Sequence, residues 1–237
     1  MKNIRSTIAT LNQAQIAEDM HEKGYAIVPD FLSGPECEML KTIYRQNEYY
    51  RKTVVMEHYR FGIGEYKYFN YPLPDIIQTI RQQTYPLLAP IANTWMHVLN
   101  IKTQFPDTFQ AFQELCHADG QLKPTALILK YGQGGYNTLH QDLYGSVYFP
   151  IQTVLFLSQE DEDFTGGEFV LIQQTPRAQS EAIVLKLKKG DMLIFTTNYR
   201  PVKGTKGYYR VNMKHGVSKV QSGERYVLGI IYHDALS

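Results

Sequence analysis

The 237-residue sequence has few cysteines and no long apolar run. Its two cysteines, Cys37 and Cys116, lie far apart and form no CxxC motif, so we expect reduced thiols rather than a disulfide framework. No apolar run approaches the roughly 20 residues that a membrane-spanning helix needs, and the N-terminus lacks the apolar core of a signal peptide. These absences predict a cytoplasmic protein with no membrane partner.

The chain also lacks a strong overall charge, since 24 Lys or Arg stand against 23 Asp or Glu. A net charge of +1 gives the whole chain no bias towards nucleic acid or membranes. The distribution is less even, because residues 177–225 contain eleven basic and three acidic residues. This basic stretch suits an anionic partner such as nucleic acid, and the alternative is a solvated face balanced by acids elsewhere.

The first part of the chain mainly predicts helices. Residues 9–22 and 75–99 carry apolar residues at helical spacing, and we expect the second segment to be interrupted at Pro86 and Pro90. Ser33 begins a capping-box pattern that predicts a helix start. These signals indicate a mainly helical support region over residues 1–122.

From about residue 123 the helical pattern gives way to short runs rich in β-branched and aromatic residues. The runs cover residues 125–131, 153–157, 168–172, 182–187, 192–195 and 225–233. Short strands at this spacing are typical of a sandwich or jelly roll, so we predict an α+β, mainly β fold with its core at 123–237 and N-terminal helices buttressing it in one compact domain. The basic, glycine-bearing segment 196–207 is predicted to be a lid or substrate loop.

One group of metal-binding residue types lies in the β-rich part. His140 and Asp142 follow a Gly-rich turn, and His215 comes 73 residues after Asp142. Two imidazoles and one carboxylate can occupy one face of an octahedral Fe(II) and leave the other face open for substrate and oxygen. The strands between them can bring these three residues, which are distant in sequence, together at one site. The alternatives are two hydrogen-bonded core histidines, or a zinc or cupin-like site with the same ligands.

Two further residues suit a dicarboxylate cosubstrate. Arg225 begins the last predicted strand, and its guanidinium is a permanently charged, bidentate partner for a carboxylate. Tyr131, on the strand before His140, can donate its hydroxyl to the same molecule. The alternatives are a surface ion pair for Arg225 and ordinary packing for Tyr131. The aromatic segment at 59–61 is a candidate for the substrate entrance, with core packing as its alternative.

At these residues the chain resembles the iron(II)- and 2-oxoglutarate-dependent dioxygenases, over about 123–235. The matching features are His140-x-Asp142, Thr165-Gly166-Gly167-Glu168-Phe169, Lys189-Gly190-Asp191, His215-Gly216-Val217 and Arg225. The Gly-Gly-Glu strand resembles the prolyl-4-hydroxylase branch, and residues 131–142 resemble AlkB-type nucleic-acid demethylases. The chain is similar overall to a bacterial family labelled as oxygenases acting on damaged nucleic acid. AlkB-type enzymes have a second arginine where this chain has Ile231.

The resemblance implies a double-stranded β-helix with His140, Asp142 and His215 as catalytic Fe(II) ligands. It also implies that 2-oxoglutarate binds the iron, Arg225 and Tyr131, with O2 as co-reactant and ascorbate as a further cofactor. Oxidative decarboxylation of 2-oxoglutarate would then drive substrate hydroxylation, either demethylating alkylated nucleic-acid bases or hydroxylating a protein or small molecule. The alternative of another class is a non-catalytic metal-binding module on the same scaffold.

Overall fold

The computed structural model describes residues 3–237, which contain five α-helices, two short 3-10 helices and fifteen strands. The helices are α1 (Ile4–Ala9), α2 (Gln13–Lys23), α3 (Gly34–Ile43), α4 (Asp75–Val98) and α5 (Phe109–Ala118). The strands are β1 (Tyr25–Val28), β2 (Tyr50–Val55), β3 (Gly62–Ile63), β4 (Glu65–Phe69), β5 (Leu127–Tyr131), β6 (Tyr136–His140), β7 (Ile151–Phe156), β8 (Phe164–Gly166), β9 (Phe169–Gln174), β10 (Ser180–Leu185), β11 (Met192–Thr196), β12 (Tyr199–Gly204), β13 (Gly207–Val217), β14 (Val220–Gly223) and β15 (Arg225–Ile230).

Most strands belong to two antiparallel sheets. The larger sheet has the order β1-β11-β7-β15-β5-β4-β2. The smaller sheet has the order β10-β9-β13-β6-β3, and β12 extends it by pairing with β13. Strands β8 and β14 form a separate pair. The structure therefore confirms a mainly β, antiparallel fold with helices.

The core lies on both faces of the larger sheet. Leu155 and Ile194 pack with the helices, whereas Val154 and Phe195 pack against the smaller sheet. Successive side chains of a strand point to opposite faces, so a strand covered on both sides is apolar at every position. Strands β7, β11 and β15 are accordingly buried along their whole length.

The helix signals at the N-terminus are confirmed, with one exception. Helix α2 ends at Gly24 in the left-handed conformation, and Ser33 and Glu36 form the predicted capping box. The expected interruption at Pro86 and Pro90 is wrong, because both prolines lie within the continuous helix α4. The buried apolar face of α4 offsets the missing backbone donors. None of the helices in residues 3–237 combines the length and hydropathy that crossing a bilayer demands.

Two segments depart from the sequence-based expectation in their local structure. Segment 196–207, predicted to be a lid loop, is mostly strand β12, whose Lys203 pairs with Tyr208 of β13. Cross-strand hydrogen bonding outweighs the loop signals of its glycine and proline, so the prediction of a long loop is wrong. The first 122 residues contribute β1, β2 and β4 to the larger sheet in addition to the helices.

Candidate metal and dicarboxylate site

The structure brings His140, Asp142 and His215 together. Strands β6 and β13 place His140 opposite His215, with ring centroids 4.2 Å apart. Asp142 follows the end of β6, and its carboxylate oxygens lie 3.6 Å from His140 Nε2 and 3.3 Å from His215 Nε2. One donor atom from each residue lies within 4.8 Å of the others. This donor set fits a single divalent cation such as Fe(II).

Both imidazoles are prepared to act as ligands. His140 Nδ1 lies 2.7 Å from the Thr138 carbonyl oxygen, which can only accept, so Nδ1 donates and the lone pair is on Nε2. The His215 ring stacks on Phe169 with centroids 5.9 Å apart and meets Phe195 edge-on at 4.9 Å. Burial lowers the pKa of His215, which favours the neutral, metal-binding form.

Asp142 is held by two side chains that sequence reasoning missed. Tyr144 donates its hydroxyl to Oδ1 at 2.6 Å, and Gln152 Nε2 donates to Oδ2 at 3.0 Å. Burial acts to raise the pKa of Asp142, but the two imidazoles and Tyr144 outweigh it and hold that pKa well below its usual range. The carboxylate is therefore charged and fixed in orientation.

We expect Tyr144→Phe to weaken divalent metal binding by about tenfold, because the hydrogen bond that orients the Asp142 carboxylate is lost. Calorimetric titration with Mn(II) measures this. Tyr148→Phe is the matched control, since the Tyr148 hydroxyl accepts from Asn198 instead. Equal affinities for both variants would show that Tyr144 does not position the ligand.

Arg225 is a buried cation without a hydrogen-bond acceptor among residues 3–237. Its side chain is 1% exposed, and Nε, Nη1 and Nη2 all lack partners. The rings of Tyr131, Phe156 and Phe164 surround the guanidinium at 5.2–6.0 Å. Burial lowers the pKa of Arg225 to about 10, so it stays charged at neutral pH. An unpaired buried charge is costly, so this group fits an anionic ligand.

Tyr131 lies beside Arg225 because β5 and β15 pair these two residues in register. The Tyr131 hydroxyl accepts a hydrogen bond from Asn137 Nδ2 at 3.3 Å. Burial raises the pKa of Tyr131, so the hydroxyl keeps its proton and can donate it to a carboxylate. Tyr131 and Arg225 are therefore close enough to contact one ligand, and the predicted role of Tyr131 stays a prediction.

Gly167 makes room for the aliphatic part of the Arg225 side chain. Gly167 has φ +65°, and a Cβ there would lie 2.8 Å from Val220 Cγ2 and 3.1 Å from Arg225 Cδ. A side chain would push against Arg225 as well as strain the backbone. The motif noted in the sequence thus has a local structural cause.

All five predicted site residues line one cavity of about 220 Å³: Tyr131, His140, Asp142, His215 and Arg225. The predicted basic stretch does not form a single surface. Arg225 is in the cavity, and Arg200 donates to Gln173 Oε1 at 2.6 Å. The hairpin of β12 and β13 carries cations with no ion pair to an acidic residue in the described chain: Lys203, Lys206, Arg210 and Lys214.

Comparison with known proteins gives matches of two kinds. Residues 64–235 match the model of a family described as an oxygenase catalysing oxidative methylation of damaged DNA. An uncharacterized protein of Mycobacterium tuberculosis strain H37Rv is 46% identical over 167 residues, covering 70% of this chain and 72% of its own.

Solved structures also match nearly the whole chain. A Pseudomonas putida prolyl-4-hydroxylase has a TM-score of 0.57 at 12% identity, covering 94% of this chain and 100% of its own. A Burkholderia pseudomallei oxidoreductase of the 2OG-Fe(II) oxygenase family has a TM-score of 0.53 at 12% identity, covering 95% and 93%. Identities this low show a shared fold. The family match confirms the resemblance seen in the sequence: the chain belongs to this oxygenase family, and it has the fold of the 2-oxoglutarate- and Fe(II)-dependent oxygenases.

Proposed function

We propose that this protein couples oxidative decarboxylation of 2-oxoglutarate to hydroxylation of a substrate C–H bond. The observation that carries the proposal is the unpartnered, buried Arg225 guanidinium in the same cavity as three converging metal donors. A molecule that binds a metal at one end and carries a carboxylate at the other satisfies both. 2-Oxoglutarate has this chemistry, whereas a purely structural metal site would have no use for Arg225.

Each site residue then has a defined task. His140, Asp142 and His215 hold Fe(II), which supplies oxygen activation when bound. Arg225 pairs with the distal carboxylate of 2-oxoglutarate, and Tyr131 donates its hydroxyl to the same carboxylate. The apolar walls of the cavity limit water at the reacting centre. O2 is the co-reactant and ascorbate the reductant that keeps the iron in the Fe(II) state.

The finer architecture belongs to the same proposal. We infer that eight strands form a double-stranded β-helix: β5, β6, β7, β9, β10, β11, β13 and β15. Strands β5, β7, β11 and β15 lie in the larger sheet and the other four in the smaller sheet, so that the chain changes sheet at every step except between β9 and β10; this order supports a jelly roll. Residues 123–237 would then be the catalytic core and 1–122 its support, within one domain.

For the substrate, we propose oxidative demethylation of alkylated nucleic-acid bases. A hydroxylated N-methyl group collapses to formaldehyde and the free base. The family description and the unpaired cations on the hairpin of β12 and β13 support a nucleic-acid substrate. Hydroxylation of a protein or small molecule is the second candidate, favoured by the shared fold with a prolyl-4-hydroxylase.

A methylated single-stranded oligonucleotide should release formaldehyde in a one-to-one ratio with succinate. The rate at subsaturating oligonucleotide should fall steeply with salt, because phosphate contacts displace counterions. His140→Ala should release neither product. Turnover of a peptide or small molecule that gives a stable hydroxyl group, without formaldehyde and without salt dependence, would contradict the nucleic-acid assignment. Metal binding without succinate from any substrate would favour the non-catalytic module.

A further inference from the structure

Exposed apolar side chains gather in two segments that border the cavity, and we call these two segments its rim. Of the twelve large exposed hydrophobic residues in the described chain, five lie in the short segments 59–63 and 139–143. They are Tyr59, Phe61, Ile63, Leu139 and Leu143. Phe61 and Leu143 also line the cavity. Apolar surface concentrated beside a cavity marks a binding surface rather than chance exposure.

Tyr59 and Phe61 form a stacked ring pair on this rim. Their centroids are 5.5 Å apart and their planes differ by 18°. The side chains remain 55% and 45% exposed, so the pair presents much of its ring surface to solvent. An exposed aromatic stack can bind a further flat ring from a ligand.

The rim is rigidly connected to the metal site. The Phe61 carbonyl oxygen accepts hydrogen bonds from both Thr138 N and Thr138 Oγ1 at 2.9 Å, and the Thr138 carbonyl accepts from His140. Gly62 has φ +136°, and a Cβ there would lie 2.2 Å from the Tyr136 carbonyl oxygen, so only glycine permits this approach. The backbone that carries the Phe61 ring is therefore held in a fixed position relative to His140.

The cavity is too small to enclose a whole large substrate, so part of such a substrate must bind at the rim. At about 220 Å³ it is smaller than the roughly 300–1,000 Å³ of pockets that enclose a whole drug-sized ligand. Under the proposed function it must also hold 2-oxoglutarate. Only the reacting group of a substrate fits inside, and the rest of the substrate must bind outside the cavity.

The rim carries a cation next to the ring pair. Arg60, between the two rings, is exposed and makes no ion pair in the described chain. The Glu57 and Glu65 carboxylates lie in the same part of the chain, where Glu57 accepts from Gly64 N and Glu65 from the Tyr44 hydroxyl. Aromatic faces combined with cations are the common means of binding single-stranded nucleic acid. The edge strand β3 has only two residues, too few to bind a peptide as an added strand.

We propose that Tyr59, Arg60 and Phe61 form a docking site for single-stranded nucleic acid. The ring pair stacks the base next to the reacting nucleotide, and Arg60 contacts a phosphate of the same strand. The inference rests on the proposed function only for the chemistry of the nucleotide in the cavity, because docking itself requires neither iron nor 2-oxoglutarate.

Fluorescence anisotropy with a labelled single-stranded DNA 12-mer tests the docking site in the full-length protein. Tyr59→Leu and Phe61→Leu keep apolar bulk but remove the ring, and each should weaken binding by about tenfold. Tyr59→Phe and Phe61→Tyr keep the ring and should bind like wild type. Arg60→Gln should reduce the slope of log affinity against log salt by about 0.7.

Succinate production without added substrate is measured in parallel and should be unchanged in the Tyr59 and Arg60 variants, whose side chains do not line the cavity. Leu variants that bind the 12-mer as tightly as wild type would overturn the docking site, as would a wild type that binds a peptide of equal length more tightly than DNA. One outcome separates the two proposals: neither the wild type nor any variant makes succinate, but DNA binding still depends on the rings. In that case the proposed function fails and the docking site stands.

Discussion

Arg225→Leu should weaken 2-oxoglutarate binding by about 100-fold or more while leaving the protein at least as stable as wild type. The loss of affinity follows because the guanidinium is the buried cation that lines the cavity with the metal donors. The unchanged or increased stability follows because the guanidinium has no acceptor in the described chain. Leucine removes an uncompensated buried charge from a pocket walled by Tyr131, Phe156 and Phe164.

Arg200→Leu is the matched control for this prediction. Arg200 is also buried, but its guanidinium donates to Gln173 Oε1 at 2.6 and 3.0 Å. Removing it leaves an unsatisfied acceptor and should cost about 1–3 kcal/mol of unfolding free energy. Calorimetric 2-oxoglutarate titration with Mn(II) and denaturant unfolding provide the two measurements. An Arg225→Leu protein that is destabilised like Arg200→Leu, or that retains 2-oxoglutarate binding, would refute the assigned role of Arg225.

Asp234→Ala should lower the unfolding free energy by about 3–5 kcal/mol, because it leaves the buried Arg81 without its counter-ion. Both side chains are fully buried, and Arg81 Nη2 lies 2.6 Å from Asp234 Oδ1. Arg81 also donates to the carbonyls of Ile231 and Tyr232, so the pair fixes helix α4 to the chain that follows β15. Asp19→Ala, which removes the ion-pair partner of the solvent-exposed Lys23, should lower the unfolding free energy far less. Equal losses of unfolding free energy in Asp234→Ala and Asp19→Ala would contradict the structural role of the buried pair.

The same pair gives a pH dependence with a defined sign. Burial acts to raise the pKa of Asp234, but Arg81 outweighs it and the pKa is lowered in the folded state. A carboxyl group with a depressed folded pKa stabilises the fold above its unfolded pKa of about 3.9, and this stability is lost as the pH falls further. Wild-type unfolding free energy should therefore fall more steeply below pH 4 than that of Asp234→Ala. If the unfolding free energies of both proteins fall equally steeply below pH 4, this account is contradicted.

Residue chemistry explains why the centre of the site could be predicted from the sequence. Metal ligands and a carboxylate-binding cation come from few residue types. The spacing of His140, Asp142 and His215, together with Arg225, therefore left few alternative candidates for the site residues. The partners of Asp142 could not be found in that way. Gln152 lies on β7 and reaches the carboxylate only through the fold, and any polar residue on a neighbouring strand could have served.

Tertiary contacts also explain where the local patterns failed. The prolines of α4 signalled a break, yet the packing of its apolar face keeps the helix continuous. The glycine-bearing segment after β11 signalled a loop, yet pairing with β13 makes it a strand. The position of Phe61 beside the cavity depends on hydrogen bonds from Thr138, 77 residues away. The division into a support region and a core stays a prediction.

The central claim is that three converging ligands and Arg225 support 2-oxoglutarate turnover, and succinate production tests it most directly. Wild type, His140→Ala and Asp142→Ala are incubated with Fe(II), O2, ascorbate and 2-oxoglutarate, without a second substrate. We predict slow succinate formation by wild type and none by either variant. Absence of both succinate formation and 2-oxoglutarate binding in the iron-loaded wild type, or undiminished turnover in Asp142→Ala, would contradict the claim.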